Sequence, residues 1–174
     1  ELLKTDMRLD LGGIAKGYAG DEALKVLKAN GITRALIAGS GDVVAGDPPP
    51  GRPGWRVGLA PLESRDAPPS RYVTIQNAAV STSGDLFQFV EIGRKRYSHI
   101  VDPKTGLGLT QSSSVSVIAA DGTTADSLAT AISVMGAERG MKLIDAEITS
   151  TKSIPRTAVR GSLPAALIVI EQDG

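Results

Sequence analysis

The chain has 174 residues, enough for one domain with its own core; 41% are apolar, 22% are charged and the formal net charge is zero. With no charge surplus, nothing steers nucleic acid or an anionic membrane to it, and 3% aromatics gives no platform for stacking bases. The lack of cysteine excludes disulfides, thiolate metal sites and cysteine nucleophiles, and no apolar run is long enough to span a bilayer.

Thr5–Leu11 is short and mixed and leads into the pair Gly12-Gly13. From Ile14 the apolar residues recur at helical spacing, through Tyr18, Leu24 and Leu27, and Asn30-Gly31 is a good C-terminal stop. Ile32–Ala38 reads as a buried strand and Asp47–Pro53 as a loop. Trp55–Ala60 and Arg71–Gln76 alternate like strands, split by the polar Pro61–Ser70. Leu86–Ile92 and Arg96–Val101 flank Gly93-Arg94-Lys95 as a hairpin, and Asp102–Gly106 is a turn. Ser114–Ala119 is a further strand. Thr123–Met135 is a helix of small residues closed by Gly136, Ala137–Ala146 is a second helix, and Ala165–Ile170 is a last strand. This order predicts an α+β (mixed α/β) fold, a largely antiparallel sheet with packed helices, in one domain over 1–174. Glu1 is not a methionine and Ile168–Ile170 reads as a strand cut off soon after, so a piece of a longer protein is expected. No segment reads as a signal peptide.

Five small or polar segments carry candidate chemistry. In Asp121–Thr130 a carboxylate, Asp126, and a hydroxyl, Thr130, stand about one helical turn apart, and both oxygens can face one point. A carboxylate plus a neutral oxygen is half the shell of a hard cation such as Mg2+. The alternative is stability alone: an acid in the first turn is favoured by the helix dipole, with Thr124 as a cap. Asp10–Tyr18 sets two glycines at a helix mouth, where free N–H groups attract phosphate and Lys16 adds a point charge; tight packing is the plainer reading. Gly39–Asp42 is either a ligand-facing loop or a simple turn. Ser81–Asp85 reads as a cap or turn. His99 is the sole histidine, structural or catalytic, and without a second histidine it heads no zinc site.

Together these segments resemble the ApbE family of flavin transferases. Asp10–Ala19 (DLGGIAKGYA), Ser81–Asp85 (STSGD), Arg96–Gly106 (RYSHIVDPKTG) and Thr123–Ala131 (TTADSLATA), followed by Val134-Met135-Gly136, stand in the family's order. The resemblance implies a T-fold-like domain that uses Mg2+ to cleave FAD and moves FMN to a threonine of a target protein, releasing AMP. Some members hydrolyse FAD to FMN and AMP instead. A non-catalytic flavin-binding fragment is the reading from another class. The resemblance also implies export, to the periplasm or as a lipid-anchored lipoprotein.

Carried over by motif, Asp126, Thr130 and the main-chain carbonyl of Ala15 hold the metal. Asp10, Lys16, Tyr18 and Ile100 lie along FAD. His99 is the expected base for the acceptor hydroxyl, with Asp126 beside it in the reaction; an aspartate or the metal is the alternative base. Many relatives have a glycine pair before the aspartate at position 42. Here Ser40 stands between Gly39 and Gly41, so Asp42 is left out of the expected contacts. The family's N-terminal half, which supplies part of the flavin pocket, is expected to lie outside this chain.

Overall fold

The computed structural model describes residues 9–59, 68–69, 71–85, 88–151 and 166–170. Most of Thr5–Leu11, nearly all of Pro61–Ser70 and the start of Leu86–Ile92 lie outside these residues.

The described elements are α1 (Ala15–Ala29), β1 (Leu36–Gly39), β2 (Asp42–Ala45), β3 (Trp55–Leu59), β4 (Arg71–Ile75), β5 (Ala78–Gly84), β6 (Phe89–Ile92), β7 (Lys95–Ser98), β8 (Ser113–Ala119), α2 (Gly122–Met135), α3 (Ala137–Thr151) and β9 (Ala166–Ile170). Five strands form one sheet in the order β1-β2-β5-β8-β9, and every neighbouring pair is antiparallel. β3 with β4 and β6 with β7 form separate antiparallel hairpins. The mixed α/β, antiparallel expectation holds.

Side-chain alternation divides the sheet into two faces. Ala45, Ala78, Val80 and Ile118 pack against Val57, Leu59, Val73 and Ile75 of the β3–β4 hairpin. Val44, Ala79 and Ala119 face the other way, onto Leu24 of α1 and Ala125 of α2. Val115 and Val117 join Ala129 and Ile132 of α2 and Ile144 of α3. The alanines on both sides let α2 lie close against β5 and β8.

Three expectations are corrected. The strand foreseen at Ile32–Ala38 runs over Leu36–Gly39 and is a sheet edge, with Leu36 exposed. Gly46 N–H still donates to the Ala35 carbonyl and Asp47 N–H to the Thr33 carbonyl, which accounts for the strand-like pattern upstream. Ser81–Asp85, read as a cap or turn, mostly belongs to β5, the middle strand of the sheet. Asp126 is the fifth residue of α2, beyond its first turn. The helix start is capped instead by Asp121, whose carboxylate accepts from Thr124 N–H at 2.7 Å, so Thr124 is not the cap. The dipole argument for Asp126 therefore lapses.

No helix among the described residues is long and apolar enough to cross a membrane.

Candidate functional site

α1 and α2 run side by side in opposite directions. A Cβ on Gly17 would lie 2.0 Å from the Gly122 carbonyl oxygen, so only glycine allows this approach. One turn on, Asp21 reaches across from α1. Its carboxylate accepts from Gly122 N–H (2.6 Å), Thr123 N–H (2.8 Å) and the Thr123 hydroxyl (2.6 Å). A negative group at a helix N-terminus satisfies free N–H groups and the dipole together. One turn back, a Cβ on Gly13 would sit 3.1 Å from Thr130 Oγ1. Residues 13–17 of the first segment thus lie along residues 126–130 of the second. Ala15 falls between the two points of contact.

At this seam lies a charge cluster of two buried carboxylates and a partly exposed lysine. Asp126, 1% exposed, accepts from Lys16 Nζ through Oδ1 and from Gly17 N–H through Oδ2, each at 3.0 Å. Lys16 Nζ also lies 3.3 Å from Asp42 Oδ2. Asp42, 6% exposed, opens β2 directly opposite Ser81 of β5, whose hydroxyl donates to Asp42 Oδ1. The β1–β2 loop makes this possible. Ser40 and Gly41 sit at φ 47° and 94°, as a two-residue hairpin loop of the I′ kind requires, and this turns Asp42 onto the helix-facing side.

Burial pulls the Lys16 ammonium down, but its hydrogen bond to Asp126 and the charges of Asp42 and Asp126 outweigh this and raise it above its ordinary 10.5. Burial pushes the Asp42 carboxyl up from its ordinary 3.8, against the lowering pull of Ser81 and Lys16. The folded chain therefore holds the Asp42 proton more tightly than the unfolded chain. Asp42's contribution to stability falls as pH rises from about 3.8 through the raised value. Asp42→Asn is expected to lack that fall. Urea midpoints measured across the acid range check it, and an unaltered pH slope in the variant would contradict it.

The donor set suits a hard cation: two buried carboxylates, the Thr130 hydroxyl and main-chain carbonyls at the start of α1. Asp42 Oδ2 is buried and faces the Lys16 ammonium at 3.3 Å without a well-aligned hydrogen bond, so a cation there would share this carboxylate with Lys16. No group of three or more acidic, histidine or cysteine side chains suited to a metal occurs among the described residues. A cation here would complete its shell from phosphate and water.

The remaining expected residues lie elsewhere on the surface or in the core. Asp10 is exposed and accepts from Gly12 N–H at 2.7 Å. Tyr18 is 57% exposed on α1. His99 is exposed just after β7, and Ile100 is buried, with its N–H donating to Ser98 Oγ at 3.0 Å. Among the described residues no hydrogen bond or ion pair joins His99 or Ile100 to the Lys16 cluster. Sequence reading passed over Asp42 and Asp21. The available signals were the Ser40-Gly41 loop for the first and the one-turn offset from Gly17 for the second.

Two helices far apart in sequence, closing one lysine and two buried carboxylates over an antiparallel sheet, define a mixed α/β protein with a candidate ionic site between α1 and α2. The chain belongs to the ApbE family, whose profile matches residues 1–153. It is 36% identical over 153 residues to an FAD:protein FMN transferase of Treponema pallidum, covering 83% of this chain and 42% of that protein. A Klebsiella pneumoniae protein of the same name is 33% identical over 141 residues, covering 80% and 40%. Among solved structures, the ApbE protein of Thermotoga maritima superposes with a TM-score of 0.74 at 33% identity, over 94% of this chain and 48% of that one. The apo flavinyl transferase ApbE of Pseudomonas stutzeri gives 0.69 at 33% identity, over 95% and 47%. The chain thus spans about half or less of the length of the relatives it matches.

Proposed function

We propose that this chain carries the cation- and phosphate-facing part of an enzyme that transfers FMN from FAD to a threonine hydroxyl of a target protein, releasing AMP. One observation carries the reading: Lys16 sits between two buried carboxylates at the mouth of α1, where Thr130 and the α1 backbone add further oxygens. The names of the relatives support the flavin chemistry. The threonine acceptor and Mg2+ rest on the motif resemblance and on the donor set.

Asp126, Thr130 and the Ala15 carbonyl would hold Mg2+, which supplies Lewis-acid polarisation of a phosphoryl oxygen when bound. The chain's own groups do the rest. Lys16 offers a cation for phosphate at the start of α1. The threonine oxygen forms a bond to the FMN phosphorus, the bond from that phosphorus to the AMP oxygen breaks, and the hydroxyl proton passes to a base, assigned to His99. Positioning and charge neutralisation account for most of the catalysis in such a displacement.

The test is incubation of the full-length gene product, and of this chain, with FAD, Mg2+ and a threonine-bearing target protein. Flavin retained on the target after denaturation is the expected result. Free FMN and AMP alone would mean that water replaces the threonine. No AMP with or without Mg2+ would reject the enzyme reading.

A further inference from the structure

His99 is held by a single acceptor. Its backbone N–H donates to the Gln88 carbonyl at 3.0 Å, and its ring Nδ1 lies 3.1 Å from the same oxygen. A carbonyl only accepts, so the hydrogen in the ring contact belongs to Nδ1. In the neutral imidazole Nε2 then carries the lone pair.

Among the described residues, the Arg96 side chain links the segment bearing that carbonyl to the main sheet. Phe89, next to Gln88, has its ring under the Arg96 guanidinium, 3.7 Å from carbon to centroid. Arg96 Nε lies 3.4 Å from Asp85 Oδ2, and Arg96 Nη2 donates to the Asp85 main-chain oxygen. Asp85, 2% exposed, follows β5 directly. Its Oδ1 accepts from the Ser112 hydroxyl at 3.0 Å and from Ser113 N–H, where β8 begins, at 3.3 Å. Contacts thus run without a break from the sheet through Asp85, Arg96 and Phe89 to Gln88 and His99. Asp85 is buried, so removing Arg96 would strand its charge.

We propose that Arg96 is a positioning residue: it fixes the Gln88 carbonyl against His99 and so keeps the imidazole in its Nδ1–H form, with Nε2 free to take a proton. The catalytic meaning of this arrangement rests on the transferase reading above. The arrangement itself does not.

The chain has a single histidine, so its ring nitrogens give unambiguous signals in a 15N-labelled protein. Long-range proton–nitrogen spectra of the neutral ring are expected to report Nδ1–H, the reverse of the form an unconstrained histidine prefers in water. Arg96→Gln is expected to move the population toward Nε2–H. In the full-length enzyme it is expected to lower kcat about tenfold, with the KM for FAD little changed. Phe89→Leu alters a residue that is 41% exposed, keeps the ion pair, and is expected to move the tautomer the same way. A wild-type ring in the Nε2–H form, or a tautomer indifferent to both substitutions, overturns the proposal. A tautomer that shifts as expected in a protein that transfers no flavin upholds the positioning role and rejects the transferase reading instead.

Discussion

Asp126→Asn is expected to lower Mg2+-dependent flavin turnover about a hundredfold or more in the full-length enzyme. Asparagine keeps the volume of the side chain and one oxygen for the Gly17 N–H, which now donates to Asp126 Oδ2 at 3.0 Å. It removes the charge that neutralises Lys16 and that would ligate the cation, and it turns an amide donor toward an ammonium. Steady-state turnover with a Mg2+ titration by calorimetry measures both consequences. Wild-type rates and wild-type Mg2+ affinity in this variant would remove Asp126 from the metal set. Asp126→Ala asks a different question. With the residue 1% exposed, truncation leaves the Gly17 N–H without its acceptor and Lys16 with Asp42 alone. Its dominant effect is expected to be a stability loss of about 1–3 kcal/mol from the unpaired Gly17 N–H, since Lys16 stays partly exposed and keeps Asp42.

Gly17→Ala is expected to destabilise the protein by about 3 kcal/mol or more, since overpacking an interface forces backbone apart. The added methyl would lie 2.0 Å from the Gly122 carbonyl oxygen, 2.4 Å from its carbon and 2.9 Å from Asp126 Cβ. Two of these neighbours are backbone, so relief requires α1 to move off α2. That movement breaks the three Asp21 hydrogen bonds and the Gly17–Asp126 bond together. In a protein of this size the melting temperature should fall by about 6–12 °C. Gly39→Ala provides the comparison. A Cβ there meets nothing within 4 Å, and the change should stay within about 0.5 kcal/mol. Equal melting temperatures for the two variants would refute the close helix approach.

The elements that local chemistry marks were the ones legible in the sequence. α1 and α2 declare themselves by apolar spacing and end on Asn30 and Gly136, the latter at φ 80°. The β6–β7 hairpin shows in Gly93-Arg94, both at positive φ, and the next turn in Asp102, which accepts from Lys104 N–H. β5 stayed hidden for a tertiary reason. Its Ala79 and Ser81 are small because α2 and the charge cluster lie over them, and small polar residues imitate a turn. The same applies to the site. Asp126, Thr130 and Lys16 were identifiable from spacing and motif, and the fold brings their segments together. Asp42 was set aside because of Ser40, yet a serine at φ 47° still completes the hairpin that delivers it. Asp21 answers to partners 101 and 102 positions on, and the Asp85–Arg96 link crosses a hairpin at a separation of 11; one sequence carries no periodic mark for either.

Lys16 and Asp126 meet across a separation of 110 positions. During synthesis the ribosome therefore emits α1, four strands and two hairpins before the acid that completes the centre leaves the exit tunnel. Closing so long a loop precedes any reward from the contact it makes. A nascent chain halted before α2 holds a lysine beside a single carboxylate, and the centre comes into being only once α2 has emerged.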